Sequence, residues 1–268
     1  MVLSIKHILL AFDSSEQSIV ALNTALFFKK KYHSQLTIVH IEEAIPNGDI
    51  KDMLKKHVGD EAYNFIHKTG RPYRGIIESA KETDADLIIM GTHGISGFEE
   101  FWMGSTAYKV VSLAKCPVLT MRESLAHNDF RSIVLPIDTS FESRQKVPFV
   151  ISLAKQLNST VHILGVSVDN DNESLHQVNV YTRQVKRSLE EENIPFTLEY
   201  KLGGNITKSS VEHAEKIKAD LIIIMTEQEA QIGSFFLGKF AQQMVNHSTI
   251  PVISISPRED LLLTDAKI

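Results

Sequence analysis

The chain has 268 residues, 43% of them apolar, with a formal net charge of −5. That length suits two domains of ordinary size, and the acidic balance argues against a dedicated nucleic-acid binder, which would carry a basic face. Cys116 is the only cysteine, so an internal disulfide is excluded and a reducing compartment, the cytoplasm, is expected. No stretch approaches the ~18 apolar residues that a membrane-spanning helix requires, so neither a membrane nor a nucleic acid is expected as a partner.

Taken in chain order, Ile5 to Phe12 is a short run of bulky apolar residues, the pattern of a strand buried on both faces. Asp13-Ser14-Ser15-Glu16 follows and signals a helix start. Ser18 to Lys31 then carries apolar residues at helical spacing and closes on three lysines that complement the helix dipole. Gln35 to Ile41 reads as the second strand, Pro46 to Gly59 as holding a short helix, and Ala62 to Lys68 as the third strand. Pro72 to Thr83 reads as a helix, Asp86 to Met90 as a strand, Gly104 to Ala114 as a helix and Val118 to Met121 as the fifth strand. Alternating strands and helices imply parallel βαβ units with right-handed crossovers. Arg122 to Arg131 is polar and reads as a linker.

The second half repeats this order. Ala85-Asp86-Leu87-Ile88-Ile89-Met90 matches Ala219-Asp220-Leu221-Ile222-Ile223-Ile224, and from there the copies run without a gap to Pro117-Val118 and Pro251-Val252. Asp138 matches Asp13, and Gly204 matches Gly70. Between its second and third strands the second copy carries nine extra residues, about two and a half helical turns. That shortening lies at the carboxyl end of the first sheet, where open α/β sheets bind ligands. It would widen the first cleft, or it is simple length drift.

The copies part at one loop. The first reads Gly91-Thr92-His93-Gly94, then nine residues, then Gly104-Ser105-Thr106; the second has Met225, Gln228, Gly238, Lys239 and Phe240 at those places. Glycines let backbone N–H groups approach an anion closely, and a helix opening at Gly104 adds unpaired N–H donors and a positive dipole end. Ser105 and Thr106 bring hydroxyls for phosphate oxygens or a metal ion. Turns after strands also use glycine for conformation alone. The second copy folds from nearly the same pattern without the first two glycines, which makes a ligand the simpler reason for them.

The pattern Gly-x2-Gly-x9-Gly-Ser-Thr, after Ala-Asp-Leu-Ile and before Cys-Pro-Val, resembles the nucleotide-binding class of the universal stress protein family. The likeness spans nearly the whole chain as two tandem domains, residues 1–123 with an intact loop and 131–257 with a degenerate one. The resemblance implies an α/β fold of two adenine-nucleotide α-hydrolase-like domains, each a five-stranded parallel sheet of order 3-2-1-4-5 between helices. It implies ATP, or ADP or AMP, at the carboxyl ends of the first copy's strands, with Mg²⁺ accompanying ATP. Asp13 would sit near the ribose or the metal, Val39 would offer its backbone to the adenine, and Gly91, Gly94, Gly104, Ser105 and Thr106 would hold the phosphates. It also implies that the halves pack as an intramolecular pseudo-dimer, with a homodimer open as well.

His93, between the glycines, either donates to a phosphate or faces solvent. Asp13 either contacts the ligand or only caps its helix, and Asp138 in the glycine-poor copy gives the second account weight. Phe101 and Trp102, matched by Phe235 and Phe236, read as packing residues, and Cys116 as a small buried apolar residue. His213 and Glu215 read as surface residues of an amphipathic helix, and no histidine and carboxylate cluster has recognisable metal-ligand spacing. No Walker A run, Gly-x-Ser-x-Gly elbow or His-Glu-x-x-His is present. With no general base in view, a slow ATPase is the most enzyme-like activity expected. The function implied is a nucleotide-binding switch acting on an unidentified protein partner; the alternatives are an interaction scaffold that binds no nucleotide, or a nucleotidyl-transferring enzyme, for which Asp13-Ser14-Ser15 offers no activating motif.

Overall fold

A computed structural model describes residues 4–42, 50–92, 104–122, 129–226, 228–231 and 234–257. The chain divides into two compact units, whose main bodies are Ser4–Asn128 and Asp129–Met244. In the first, the strands are β1 (His7–Ala11), β2 (Gln35–Glu42), β3 (Asn64–Thr69), β4 (Leu87–Gly91) and β5 (Val118–Met121), in the order β3-β2-β1-β4-β5. Pairing is parallel throughout. The helices are α1 (Glu16–Tyr32), α2 (Ile50–Val58), α3 (Pro72–Glu82) and α4 (Ser105–Leu113).

The second unit carries β6 (Ser132–Ile137), β7 (Thr160–Ser167), β8 (Phe196–Leu202), β9 (Leu221–Met225) and β12 (Val252–Ile255), in the order β8-β7-β6-β9-β12. Its helices are α5 (Val147–Leu157), α6 (Asn172–Glu191), α7 (Ile206–Lys216) and α8 (Lys239–His247). This is again a sheet of order 3-2-1-4-5. One element has no counterpart in the sequence reading: strands β10 (Gln228–Gln231) and β11 (Ser234–Leu237) pair as an antiparallel hairpin.

The sheet centres are apolar because they are covered on both faces. Ile8, Leu9 and Leu10 of β1 and Leu87, Ile88 and Ile89 of β4 are fully buried, as expected of central parallel strands. The outer strand β3 is only partly buried along its length, and β8 follows the same rule.

The repeated Ala-Asp-Leu-Ile has a structural cause. The Asp86 carboxylate accepts the backbone N–H groups of Lys6 (2.7 Å) and His7 (2.9 Å), locking the start of β4 to the start of β1. Asp220 does the same to Ser132 at 2.9 Å. Helices α1 and α5 both stop at a left-handed residue, His33 (φ 54°) and Asn158 (φ 53°). The next serine in each copy donates its hydroxyl back to the chain just before the first strand, Ser34 to the Ile5 carbonyl and Ser159 to the Phe130 carbonyl. Gly70 (φ 127°) and Gly204 (φ 101°) follow β3 and β8 in a conformation that a side chain would strain.

The length difference resolves into helices. The nine-residue α2 stands where the second unit has the twenty-residue α6.

Candidate functional site

The carboxyl end of β1 feeds a tight turn. Asp13 Oδ1 accepts the Ser15 backbone N–H (3.0 Å) and the Ser15 hydroxyl (2.5 Å), while Ser14 takes a left-handed φ of 65°. Ser15, not Asp13, caps α1, its hydroxyl accepting the Ser18 N–H. Asp13 thus orders the cap rather than forming it. Asp138 repeats the arrangement, with Oδ1 accepting from the Ser140 backbone at 2.8 Å and the Ser140 hydroxyl at 2.6 Å. One oxygen of Asp13 therefore has a structural duty shared by both units. Its Oδ2 has no partner among the described residues and is the atom available to a ligand.

Val39 lies in β2, 1% exposed and paired with Ala11 on one side and Ile66 on the other. Its carbonyl accepts the Phe12 N–H at 2.9 Å, so that group is already used inside the sheet. Backbone groups of a strand point to alternate neighbours, so Ile41 aims its N–H and C=O the same way as Val39. There β1 has ended, since its last paired residue is Ala11. The side chain of Ile41 packs over Gly75 of α3, where a Cβ would lie 2.4 Å from its Cδ1. Among the described residues, the backbone of Ile41, which the sequence reading passed over, therefore has no strand partner on that side at the sheet's carboxyl end.

Gly91 closes β4, paired with Met121 of β5. Thr92 follows, 3% exposed, its N–H donating to the Met121 carbonyl at 2.9 Å. His93 and Gly94 lie outside the described residues, as do Phe101 and Trp102. The chain re-enters at Gly104, whose N–H donates to the Thr92 carbonyl at 2.8 Å. This bond ties the first residue before α4 to the end of β4. Gly104 has φ −55° and ψ 146°, a conformation any residue adopts, and among the described residues no side chain caps α4. The first turn of a helix has N–H groups without internal partners. Since Gly104's own N–H is committed, the first-turn donors left among the described residues are those of Ser105, Thr106 and Ala107, where Ser105 is exposed, Thr106 half-buried and Ala107 buried.

In the second unit the chain leaves β9 through Met225, 6% exposed, and Thr226, whose N–H donates to the Ile255 carbonyl at 2.8 Å. It then enters the β10–β11 hairpin, with Gln228 opposite Leu237 and Gln231 opposite Ser234. Hairpin backbone groups satisfy one another across the ladder. The hairpin delivers the chain to Gly238, buried, and then α8.

A cation also distinguishes the second unit. Lys146 is 3% exposed and donates through Nζ to the Ser143 carbonyl at 2.6 Å. Burial pulls its ammonium down to about 8, against the opposing pull of the Asp138 carboxylate. Counting from the two left-handed helix ends, its counterpart in the first unit is Ala21, fully buried. The groups around each first-strand aspartate therefore differ, although the aspartate turns match.

Two expectations about side chains need correction. His213 is not a surface residue: it is 3% exposed, packed in α7, and burial lowers its pKa from the ordinary histidine value. Helical spacing put it beside exposed neighbours, but it lies on the face turned to the sheet. Second, His40, Glu42 and His67 bring three ligand atoms within 4.8 Å of one another. Sequence spacing could not show this, because His67 joins the other two only through strand pairing. Cys116 is partly buried, and burial pushes its thiol up to about 12, away from the reactive thiolate form.

Among the described residues no helix is long and apolar enough to cross a membrane. Comparison with known proteins agrees with the architecture. Universal stress protein YxiE of Bacillus subtilis is 29% identical over 143 residues, 42% of this chain and 97% of that protein. A universal stress protein of Archaeoglobus fulgidus has a crystal structure with a TM-score of 0.77 at 20% identity, covering 96% of this chain and 99% of that one. A third, a universal stress protein solved in complex with cAMP, is 17% identical over 47% of this chain with a TM-score of 0.41, and its ligand is a fact about that protein alone. The model of the Universal stress protein family matches residues 50–122 and again 129–256. With one match in each half, the chain belongs to the universal stress protein family as a tandem two-domain member.

Proposed function

We propose that the first unit binds an adenine nucleotide, ATP or its ADP and AMP relatives, across the carboxyl ends of β2, β1 and β4. The observation that carries this is the uncapped start of α4, held against β4 by the Gly104–Thr92 bond. Its free Ser105 and Thr106 amides and the positive helix end suit a phosphate group. Gly104 needs no glycine for its backbone angles, so a ligand approaching that backbone is the reading that accounts for it.

Each remaining role follows from position. The open backbone of Ile41 offers one donor and one acceptor to the edge of a purine, with Val39 as buried floor behind it. Asp13 Oδ2 takes ribose hydroxyls or, with ATP, helps hold Mg²⁺, a hard ion that prefers carboxylate and phosphate oxygen. Gly91, His93 and Gly94 would complete the phosphate cradle from the loop. The second unit, with a hairpin at the corresponding place, acts as scaffold rather than as a second nucleotide site. The nucleotide would serve as a switch for contact with a protein partner, and hydrolysis, where measured, is expected to be slow.

The test starts with denaturing freshly purified protein and identifying any released adenine nucleotide. Titration with ATP, with and without Mg²⁺, follows on the stripped protein. One nucleotide per chain, lost in Gly104→Val while the circular dichroism and melting temperature hold, is the result expected. Unchanged affinity in that variant would remove the site.

A further inference from the structure

The β2–β3 edge of the first unit carries a chemistry that nucleotide binding does not use. His40 and Glu42 stand two residues apart on β2, so both side chains leave the same face of the sheet. His67 of β3 is the direct register partner of His40. The two imidazole rings lie 5.7 Å apart at an interplanar angle of 29°. His67 Nε2 is 3.2 Å from Glu42 Oε2.

The buried member is the informative one. His40 is 3% exposed, and its Nδ1 lies 2.8 Å from the Phe12 carbonyl oxygen. A carbonyl can only accept, so Nδ1 carries the proton and Nε2 keeps its lone pair. That Nε2 is buried and has no hydrogen-bond partner. Leaving such an atom unsatisfied costs about 1–3 kcal/mol. A His67–Glu42 ion pair would account for two of the three groups and leave this one unexplained.

We propose that His40 Nε2, His67 and the Glu42 carboxylate form a binding site for a divalent transition-metal ion of the zinc type. A tetrahedral zinc ion with bonds of ~2.0–2.1 Å sets its ligand atoms about 3.3 Å apart, close to the separation of His67 and Glu42. The Phe12 carbonyl is the outer partner that metal-bound histidines characteristically have on their second nitrogen, fixing tautomer and ring orientation. Two imidazoles favour zinc, cobalt, nickel or copper over magnesium or calcium, which seek oxygen. Access comes from the sheet edge, where the His67 side chain is 47% exposed and Glu42 19%. Three protein ligands leave a fourth position for water or a further donor. The bound ion would clamp β2 to β3 on either side of Ile41.

The experiment uses the full-length, untagged protein, stripped with chelator and titrated with ZnCl₂ by calorimetry near neutral pH. One ion per chain is expected, with a rise in melting temperature. CoCl₂ in its place should give the intense visible bands of four-coordinate cobalt. His67→Ala, at a half-exposed position, and Glu42→Gln should each weaken zinc binding at least about tenfold without lowering the melting temperature of the metal-free protein. Absence of stoichiometric binding, zinc affinity unchanged in both variants, or only the faint bands of octahedral cobalt would each overturn the assignment. Excess Mg²⁺ should leave the zinc in place, and Gly104→Val should bind zinc normally, so failure of the nucleotide proposal and failure of this one are separately visible.

Discussion

At the end of its fourth strand, the first unit passes through Gly91 and Thr92 and returns at Gly104 to open an uncapped helix. The second passes through Met225 and Thr226 into a hairpin and returns at Gly238. Both threonines donate to the carbonyl of the neighbouring last strand in the same way, Thr92 to Met121 and Thr226 to Ile255. The frame is therefore common, and it extends to the helix starts, where Tyr108 donates to the Gly104 carbonyl and Gln242 to the Gly238 carbonyl. What differs among the described residues is the segment before the helix, which in the second unit is a hairpin whose backbone groups bond to each other across the ladder. Open amides at a helix N-terminus attract anions where the preceding segment leaves them accessible. On the nucleotide proposal, a duplicated fold loses a phosphate cradle through one loop while its strand order is kept.

The sharpest way to break that comparison is Gly104→Val. Nucleotide affinity should fall at least about a hundredfold, or ~2.7 kcal/mol, with the fold retained because φ −55° suits valine. If instead the second unit is the nucleotide site, this variant will bind normally. Of similar size is the effect of Lys146→Met. The folded state holds the Lys146 ammonium near 8 against an ordinary 10.5, so the unfolded chain binds more protons between those values. Stability should thus rise with pH across that window, by on the order of 3 kcal/mol. In Lys146→Met the rise should vanish and stability at neutral pH should increase, as read by urea denaturation at several pH values. A flat profile in the parent protein would mean that the ammonium is solvated.

A smaller effect separates the two aspartates. Asp13→Ala and Asp138→Ala should each cost about 1 kcal/mol through lost turn hydrogen bonds, but only Asp13→Ala should weaken Mg²⁺-dependent ATP binding. Equal effects on binding would remove Asp13 from the site. The smallest is His213. Its folded pKa lies below the ordinary 6.5, so its contribution to stability is complete above that value and is lost as the pH falls through the folded pKa. His213→Gln should flatten this acid slope in thermal melts, and an unaltered slope would assign it to other groups.

Much of the fold was legible in the chain itself. The apolar runs of β1 and β4, the aspartates that start β4 and β9, and the glycines after β3 and β8 each carry a local rule: burial on both faces, a side-chain acceptor at a strand start, a positive φ. Of the proposed site, the residue types were legible, as with Asp13 or the Gly104-Ser105-Thr106 start. The backbone roles proposed for it were not. Val39 and Ile41 look alike as apolar strand residues, and only the place where β1 stops distinguishes a used carbonyl from an open one. His213 was misjudged because helical spacing gives a face but not which side of that face meets the sheet.

The sequence by itself determined the duplicated α/β plan of parallel βαβ units and the difference between the two loops, because these depend on periodicity and residue type within a few turns of chain; the strand order was implied by the family resemblance alone. The tertiary structure alone decided that the Val39 carbonyl is used by Phe12, that Lys146 is buried beside Asp138, and that His40, Glu42 and His67 meet. Those facts depend on strand register and on what covers each face, and neither is encoded in the spacing of residues along the chain.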